Sequence, residues 1–386
     1  MALPLTYNIR SLYVRGRVTL LAVSGIALVV AVLVVLFAMA NGFRLALRAT
    51  GAPDNAIVTQ RGSGSELTSG LSREDAQVLM ADDRVLRTSD GRPLASPEIV
   101  VVASLARKDG QEVNVTVRGT TQTAFDVRTG LRITEGRRFQ PGLYEILVGR
   151  KLHDRMKDLE VGRTIRLQRK DWTIVGILDA GGSGFESEIW GDVDAMGPAF
   201  NRGSGFQSLT LRMPGPGAIR ALNAELERNP RMQVQAIQER QYYEDQSGDV
   251  SGQLLGLAVF VAVVMGIGAV FGAMNTMYAI VAARTREIGT LRALGFSRAS
   301  ILTAFVLEST ALSLVGGAAG CLLALPFNGI SSAAGGANFA EISFAFQVTS
   351  DALVLGMGLA LAIGVAGGLL PALRAARLPI TAALRS

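Results

Sequence analysis

The chain has 386 residues, 49 % of them hydrophobic, a mean hydropathy of +0.33 and a formal net charge of +6, a length that accommodates two or three structural units. Cys321 and His153 are the single cysteine and the single histidine; this excludes a disulfide framework and a Cys/His metal site, and His153 reads as an ordinary surface residue and not a triad member. The surplus positive charge flanks apolar segments and forms no patch of its own, which argues against a nucleic-acid partner.

In chain order, residues 1–17 read as an interfacial helix, with Leu5, Ile9, Leu12 and Tyr13 near one face. Residues 18–40 form a first apolar span. Ala38-Met39-Ala40 resembles a cleavage site, but the apolar stretch exceeds the roughly 7–15 residues of a signal-peptide core, so it reads as an uncleaved anchor. Residues 41–252 form one large domain. Three further spans follow at 253–283, 300–327 and 351–371, with connections at 284–299 and 328–350 and a tail at 372–386. Each span is near the roughly 20 apolar residues that cross a bilayer, and none carries the polar stripe of a soluble helix.

Within the large domain, strands are predicted at 56–60, 99–105, 207–213 and 232–237, and helices at 72–80 and 218–228, the first capped by Ser72. These make two β-α-β units that bracket a strand-rich middle, about 112–205. The fold class is therefore a membrane protein: an α-helical four-span bundle plus an extracytoplasmic α+β domain, in which a β-α-β porter-like subdomain carries a β-rich insertion. The clusters Gly62-Ser63-Gly64, Gly181-Gly182-Ser183-Gly184 and Gly203-Ser204-Gly205 read as loops. A phosphate-binding loop would end in Gly-Lys-Ser/Thr, and the sequence contains no Gly-Lys dipeptide. No cofactor is expected, and any ATP used by a complex binds to another chain.

Charge sets the expected topology. Residues 41–252 hold 28 basic and 28 acidic residues of the chain's 38 and 32, leaving ten and four for the remainder. Those ten lie before the first span, at Arg284, Arg286, Arg292 and Arg298 between spans two and three, and after the fourth, whereas 328–350 has none. The positive-inside rule then puts both termini and 284–299 in the cytoplasm of a bacterium, with the large domain outside its inner membrane.

The connection Arg284-Thr285-Arg286-Glu287-Ile288-Gly289-Thr290-Leu291-Arg292-Ala293-Leu294-Gly295-Phe296-Ser297 carries the most specific signal. As a helix it sets Arg284, Ile288, Leu291 and Gly295 on one face with Leu294 beside them. Gly295 is a natural stop and Ser297 a natural N-cap for the next span. A short amphipathic helix of this kind is a docking element, with Ile288, Leu291 and Leu294 expected to enter a partner's groove and Arg286, Glu287 and Arg292 on the rim. Three Gly-xxx-Gly pairs, 268/272, 316/320 and 364/368, suit close helix packing, within the chain or across a dimer. Glu308 is an acid inside span three that needs a partner; Asn275, at matching depth on span two, is the expected one.

The stretch Arg286-Glu287-Ile288-Gly289, then Arg292-Ala293 and Gly295, resembles the coupling segment of the MacB/FtsX family of ABC-transporter permeases. Gly368-Leu369-Leu370-Pro371-Ala372 through Ala375-Ala376, Pro379 and Ala383-Leu384-Arg385, with Asn8-Ile9-Arg10 at the start, resemble the same family's ends. The resemblance implies mechanotransmission: a homodimer on two separate ABC ATPase subunits, whose closure is relayed by the coupling helices to the outer domains. Size and layout are similar to the DevC-like branch with a separate ATPase and a periplasmic adaptor, which implies export or extraction of a hydrophobic or lipid-like substrate and no catalysis by this chain. Two alternatives belong to the same family, an FtsX-like signalling subunit controlling a cell-wall hydrolase and a lipoprotein-release permease. A membrane-bound enzyme lacks any catalytic cluster.

Overall fold

The structure, a computed structural model, describes residues 16–335 and 340–379. Most of the interfacial helix expected over 1–17, and the end motif from 380 on, lie outside these residues. The chain divides into two compact units. The helical unit takes in the chain as far as Asn41, then Gly252–Ile330 and Phe346 onward; the α/β unit is Gly42–Ser251 with Ser331–Ala345. The first helix, α1 (Gly16–Arg48), runs past the expected end at 40. Its continuation contains no proline, and Phe43, Ala46 and Leu47 are buried.

The α/β unit begins β1 (Asn55–Gln60), α2 (Arg73–Met80) and β2 (Ala95–Ala106). The Ser72 hydroxyl caps α2, accepting from the Asp75 N–H at 3.0 Å. There follow β3 (Glu112–Thr120), α3 (Ala124–Val127), β4 (Arg132–Gly136), β5 (Glu145–Gly149), α4 (Arg150–Arg155), β6 (Thr164–Leu167), β7 (Lys170–Asp179), β8 (Glu188–Asp192) and α5 (Val193–Ala199). The unit's second half closes with β9 (Ser208–Arg212), α6 (Pro216–Arg228) and β10 (Val234–Gln238).

All ten strands join one sheet, in the order β10-β1-β9-β2-β3-β8-β5-β7-β4, with β6 also on β7. β1 is antiparallel to both β9 and β10, and β2 is antiparallel to β9. Each β-α-β unit therefore straddles a strand of the other, the split arrangement of ferredoxin-like folds. The insertion, β3 to β8, extends the same sheet through β2. Residues Ala95–Glu98 of β2 pair with β9, and Ile99–Ala106 pair with β3. Apolar side chains from both halves fill one core, among them Ile99, Val117, Ile146, Trp172, Leu209 and Leu222.

Four strands are missing from the sequence reading. β4 is exposed at nearly every position and has no apolar alternation to reveal it. β8 is five residues long and ends Gly191-Asp192, residue types disfavoured in strands. The hairpin β11 (Ser331–Gly335) and β12 (Glu341–Ala345) lies where an irregular loop is expected. It is held by tertiary contacts: Phe344 packs edge-on against Phe43, and Arg155 reaches Glu341 at 3.0 Å and the Ser343 hydroxyl at 2.6 Å.

The remaining helices are α7 (Glu239–Ala283), α8 (Thr285–Ala293), α9 (Arg298–Ala324) and α10 (Ser350–Arg377). α1, α7, α9 (with the short turn after it) and α10 are long and apolar enough to cross a membrane. α7 starts well before residue 253, because Glu239–Ser251, although polar, is already helical. α10 continues through Pro371 instead of ending there, carried by the buried Ala372, Ala375 and Ala376; a proline in such a helix is tolerated where neighbouring helices support the backbone.

Close packing in the helical unit uses two of the three glycine pairs. A Cβ on Gly316 would lie 3.0 Å from the Val23 carbonyl oxygen of α1, and one on Gly320 2.5 Å from that of Ala27. Cβ atoms on Gly364 and Gly368 would meet Ser313 and Ser309 of α9 at 2.8 and 2.6 Å. The Ser309 hydroxyl also donates to the Gly364 carbonyl at 2.8 Å, an interhelical bond that only such proximity permits.

Candidate functional site

The turn from α7 into α9 is built on side-chain and backbone caps. Arg284 closes α7 and begins α8, which ends in a paired C-terminal motif: the Gly295 N–H bonds the Arg292 carbonyl at 3.2 Å and the Phe296 N–H bonds that of Leu291 at 3.1 Å. Gly295 sits at φ +94°, left-handed backbone that favours glycine. Ser297 then caps α9, its hydroxyl accepting from the Ser300 N–H at 3.1 Å. Both the stop and the restart stand where the sequence places them.

Arg284 is the centre of the turn. Its Nη1 lies 3.1 Å from Glu308 Oε2, its Nε donates to Glu287 Oε2 at 3.0 Å, and its guanidinium stacks 5.7 Å from the Phe305 ring centroid. Glu308 is 4 % exposed and Arg284 8 %. The expected partner of Glu308 is thus corrected: the acid is held by Arg284, and Asn275 is exposed, lining a groove with Leu21, Gly25, Gly268 and Gly272. Depth matches for Asn275, but azimuth does not. Met277, Ile280, Val281 and Arg284 recur at helical spacing on the buried face of α7, and Asn275 falls off that face.

The two faces of α8 are also reassigned. Ile288 is 2 % exposed and packs with Met277, Ile280, Phe305, Ala372 and Ala375, the ends of three long helices. Gly289 is buried and Leu291 half-buried, so the apolar face is occupied within the chain. Arg292, expected at the rim, is half-buried and donates from Nη1 to the Ala376 carbonyl at 3.1 Å, tying α8 to α10. Arg286, Glu287, Thr290, Ala293 and Leu294 face outward, and Leu294 is 72 % exposed. Of the three expected anchors, Leu294 alone presents a largely free apolar side chain. An amphipathic pattern shows that one face will be buried without saying against what.

Sequence reading singled out no charged residue of the α/β unit, yet a cluster of buried arginines and glutamates lies there, around Arg118 and Arg128. The signal available was a charge, Arg118, placed directly after the alternating Val113, Val115 and Val117 of the strand-rich middle.

Comparison with known proteins gives two family models that together cover most of the chain. The MacB-like periplasmic core domain matches residues 19–229, and the FtsX-like permease C-terminal domain matches residues 259–380. Among curated relatives, the ABC transporter permease YknZ of Bacillus subtilis (strain 168) is 26 % identical over 297 residues, covering 72 % of each chain. The macrolide export ATP-binding/permease protein MacB of Bordetella avium (strain 197N) is 28 % identical over 331 residues, 78 % of this chain and 47 % of that protein. MacB of Neisseria gonorrhoeae (strain ATCC 700825 / FA 1090) is 24 % identical over 395 residues, 94 % of this chain and 58 % of the relative. The chain therefore spans about half the length of the MacB relatives it matches. Among solved structures, the periplasmic region of MacB from Actinobacillus actinomycetemcomitans aligns over 50 % of this chain and 92 % of its own, with 14 % identity and a TM-score of 0.37.

Proposed function

The chain belongs to the MacB/FtsX-type family of ABC transporter permeases, and from that membership we propose that it relays ATP hydrolysis by a separate ATPase subunit to movement of a hydrophobic or lipid-like substrate on the outer side of the membrane. The observation that carries the reading is the construction of the α8 turn. Its inner face is fastened to α9 through Arg284 and Glu308 and to α10 through Arg292, while Leu294, Arg286 and Glu287 are left outward. A push on that outer face is delivered to several long helices at once, because separating a buried, hydrogen-bonded charge from its partner is strongly unfavourable. These 386 residues contain no Gly-Lys dipeptide for a phosphate-binding loop, so in this reading the nucleotide site lies outside them.

In this reading the chain itself is not an enzyme, both termini and α8 are cytoplasmic and the α/β unit is periplasmic, as the distribution of arginines favours. Two copies assemble through the groove at Gly268 and Gly272, where an added Cβ would meet nothing within 4 Å. A periplasmic adaptor is the expected further partner. The test is purification of the tagged chain from its native membrane, identification of co-purifying proteins and lipids, and reconstitution. An ABC ATPase should co-purify in equal amounts, and ATP hydrolysis should require it. Hydrolysis by the purified chain alone at a transporter's rate would refute the reading.

A further inference from the structure

The α/β unit contains a cluster of charges withdrawn from water. Arg118 of β3 is 1 % exposed, Arg128, just after α3, is 4 %, and Glu98 and Glu239 are fully buried. Glu66 and Glu188 complete it. Burying charge is costly unless every charged atom has a partner, and here every carboxylate oxygen accepts at least one hydrogen bond. Glu66 Oε1 accepts from Arg118 Nη1 at 2.8 Å and the Ser208 hydroxyl at 2.7 Å; its Oε2 accepts from Arg118 Nη2 at 3.1 Å and the Tyr243 hydroxyl at 3.3 Å. Glu98 receives both arginines, Arg118 Nη1 at 2.7 Å and Arg128 through Nη1 and Nη2. Glu188 takes a two-point contact from Arg118, with Trp190 Nε1 donating to it at 2.9 Å. Glu239 accepts from Arg128 Nε at 2.7 Å, from Asn55 Nδ2 at 2.8 Å and from the Ala52 N–H at 3.0 Å.

Four carboxylates thus face two guanidiniums, and the dipoles of Ser208, Tyr243, Trp190, Asn55 and a backbone amide supply the rest. The rings of Phe185 and Trp190 lie 5.0–5.8 Å from the two guanidinium carbons and keep water away. Planar guanidinium forks hold such partners in fixed directions, which apolar packing does not.

The position of the cluster decides what it can do. Glu98 is the last residue of β2 paired to β9, and Ile99 is the first paired to β3. The sheet's two halves share β2, so the natural hinge between them lies at that step. Both arginines come from the insertion. Three of the four acids lie outside it: Glu66 and Glu98 in the split β-α-β half, and Glu239 at the first residue of α7. The next turn of α7 joins in through Tyr243 and through Tyr242, whose hydroxyl accepts from the Glu66 N–H at 2.8 Å. A rotation about the hinge, or a displacement of the start of α7, would strip a buried charge of its partner.

We propose that this cluster is a rigid joint that locks the inserted β-subdomain to the split β-α-β half and to the first turn of α7, so that the α/β unit responds as one body when that helix is displaced. Its use in transport rests on the function proposed above; the rigidity itself does not.

The test uses the full chain in lipid nanodiscs, with Cys321→Ala as background. Spin labels go on the exposed positions Asp171 in β7 and Gln77 in α2 for one pair, and Asp171 and Gln241 in α7 for the other, introduced as cysteines. Pulsed-resonance distances are measured without nucleotide. One narrow distribution is expected for each pair in the parent protein. Arg128→Met is expected to at least double the width of both or to add a second population, and Glu239→Gln to do so for the Asp171–Gln241 pair, with circular dichroism unchanged. If both variants keep the parent's narrow distributions, the joint is not where rigidity resides and the proposal fails. Should Arg128→Met fail to fold, Glu239→Gln decides, since it keeps the side chain's shape. Because no nucleotide is present, failure of the transport reading cannot mimic either result.

Discussion

Arg284, at the junction of α7 and α8, and Glu308, inside α9, face each other at 3.1 Å with both side chains almost entirely out of solvent. Each makes the other's burial tolerable. Arg284→Met or Glu308→Leu alone should destabilise the chain by about 3–5 kcal/mol, the cost of breaking a buried ion pair by removing one partner. Arg284→Met combined with Glu308→Leu should recover most of that loss. Thermal unfolding in nanodiscs measures all three, and a double variant no better than the sum of the singles would show that the pair is not a coupled unit.

The outward face of α8 predicts a split between binding and folding effects. Leu294→Asp should leave the melting temperature near the parent's while weakening capture of the ATPase by about 2 kcal/mol, the size of an interface hot spot. Ile288→Asp should instead unfold the turn, since its side chain is buried among Met277, Phe305 and Ala375. Gly289→Pro adds roughly 3 kcal/mol for a proline inside a helix. ATPase pull-down paired with a melt separates the cases. Normal stability in Ile288→Asp would contradict the buried face.

Glycines that look alike in sequence should behave differently. Gly364→Val places atoms against Ser313 and the Thr310 Cα, 2.8 Å from where a Cβ would begin, and should cost stability in the single chain. Gly272→Leu meets open space and should leave the monomer's melt unchanged while reducing cross-linked dimer. Unchanged cross-linking would remove the Gly268/Gly272 groove from the proposed dimer seam.

Sidedness is open to direct labelling in the Cys321→Ala background. Cysteine at Ser204 or Ser332 should react with an impermeant thiol reagent applied from outside, and cysteine at Thr290 only after the cytoplasmic face is exposed. Outside labelling of position 290 would overturn the positive-inside assignment.

Acid should destabilise the α/β unit. Hydrogen bonds from Arg84 hold Asp82 below its ordinary value, and those from Arg137 do the same for Glu145. Burial pushes Glu98 up, but the charges of Arg128 and Arg118 more than offset it, so it too lies low. Groups lowered on folding lend stability above their unfolded values, and that stability is lost as pH falls through the folded ones. Burial raises Glu188, with Arg118 offsetting only part; its contribution has the opposite sign, fully present at low pH and lost as pH rises. These three lowered acids, with the exposed Asp90 lowered by hydrogen bonds from Thr88 and Arg92 as a fourth, against one raised predict a falling melting temperature as pH drops below the ordinary glutamate value of 4.5, with Glu98→Gln flattening that limb. A melting temperature that rises on acidification would reverse the assignment of the lowered groups.

How much of this was legible in the sequence divides along a physical line. The four long helices, the Gly295 stop, the Ser297 and Ser72 caps and most strands of the α/β unit depend on local composition and period, and all are readable from neighbours within a few residues. The membrane environment strengthens this, because spanning a bilayer demands a long apolar run that little else produces. Which partner each face meets depends on residues far apart in the chain. Arg284 and not Asn275 holds Glu308 because of where α7's buried face points. Ile288 is turned inward because three helix ends need covering, and Gly316 packs while Gly268 does not because α1 lies against one of them. Glu98 sits at the junction of two half-sheets that β2 alone bridges. Local sequence determined which segments are helix, strand or span; only the tertiary structure decided which charges pair, since pairing is set by approach in space and a buried charge takes whichever partner the fold brings within reach.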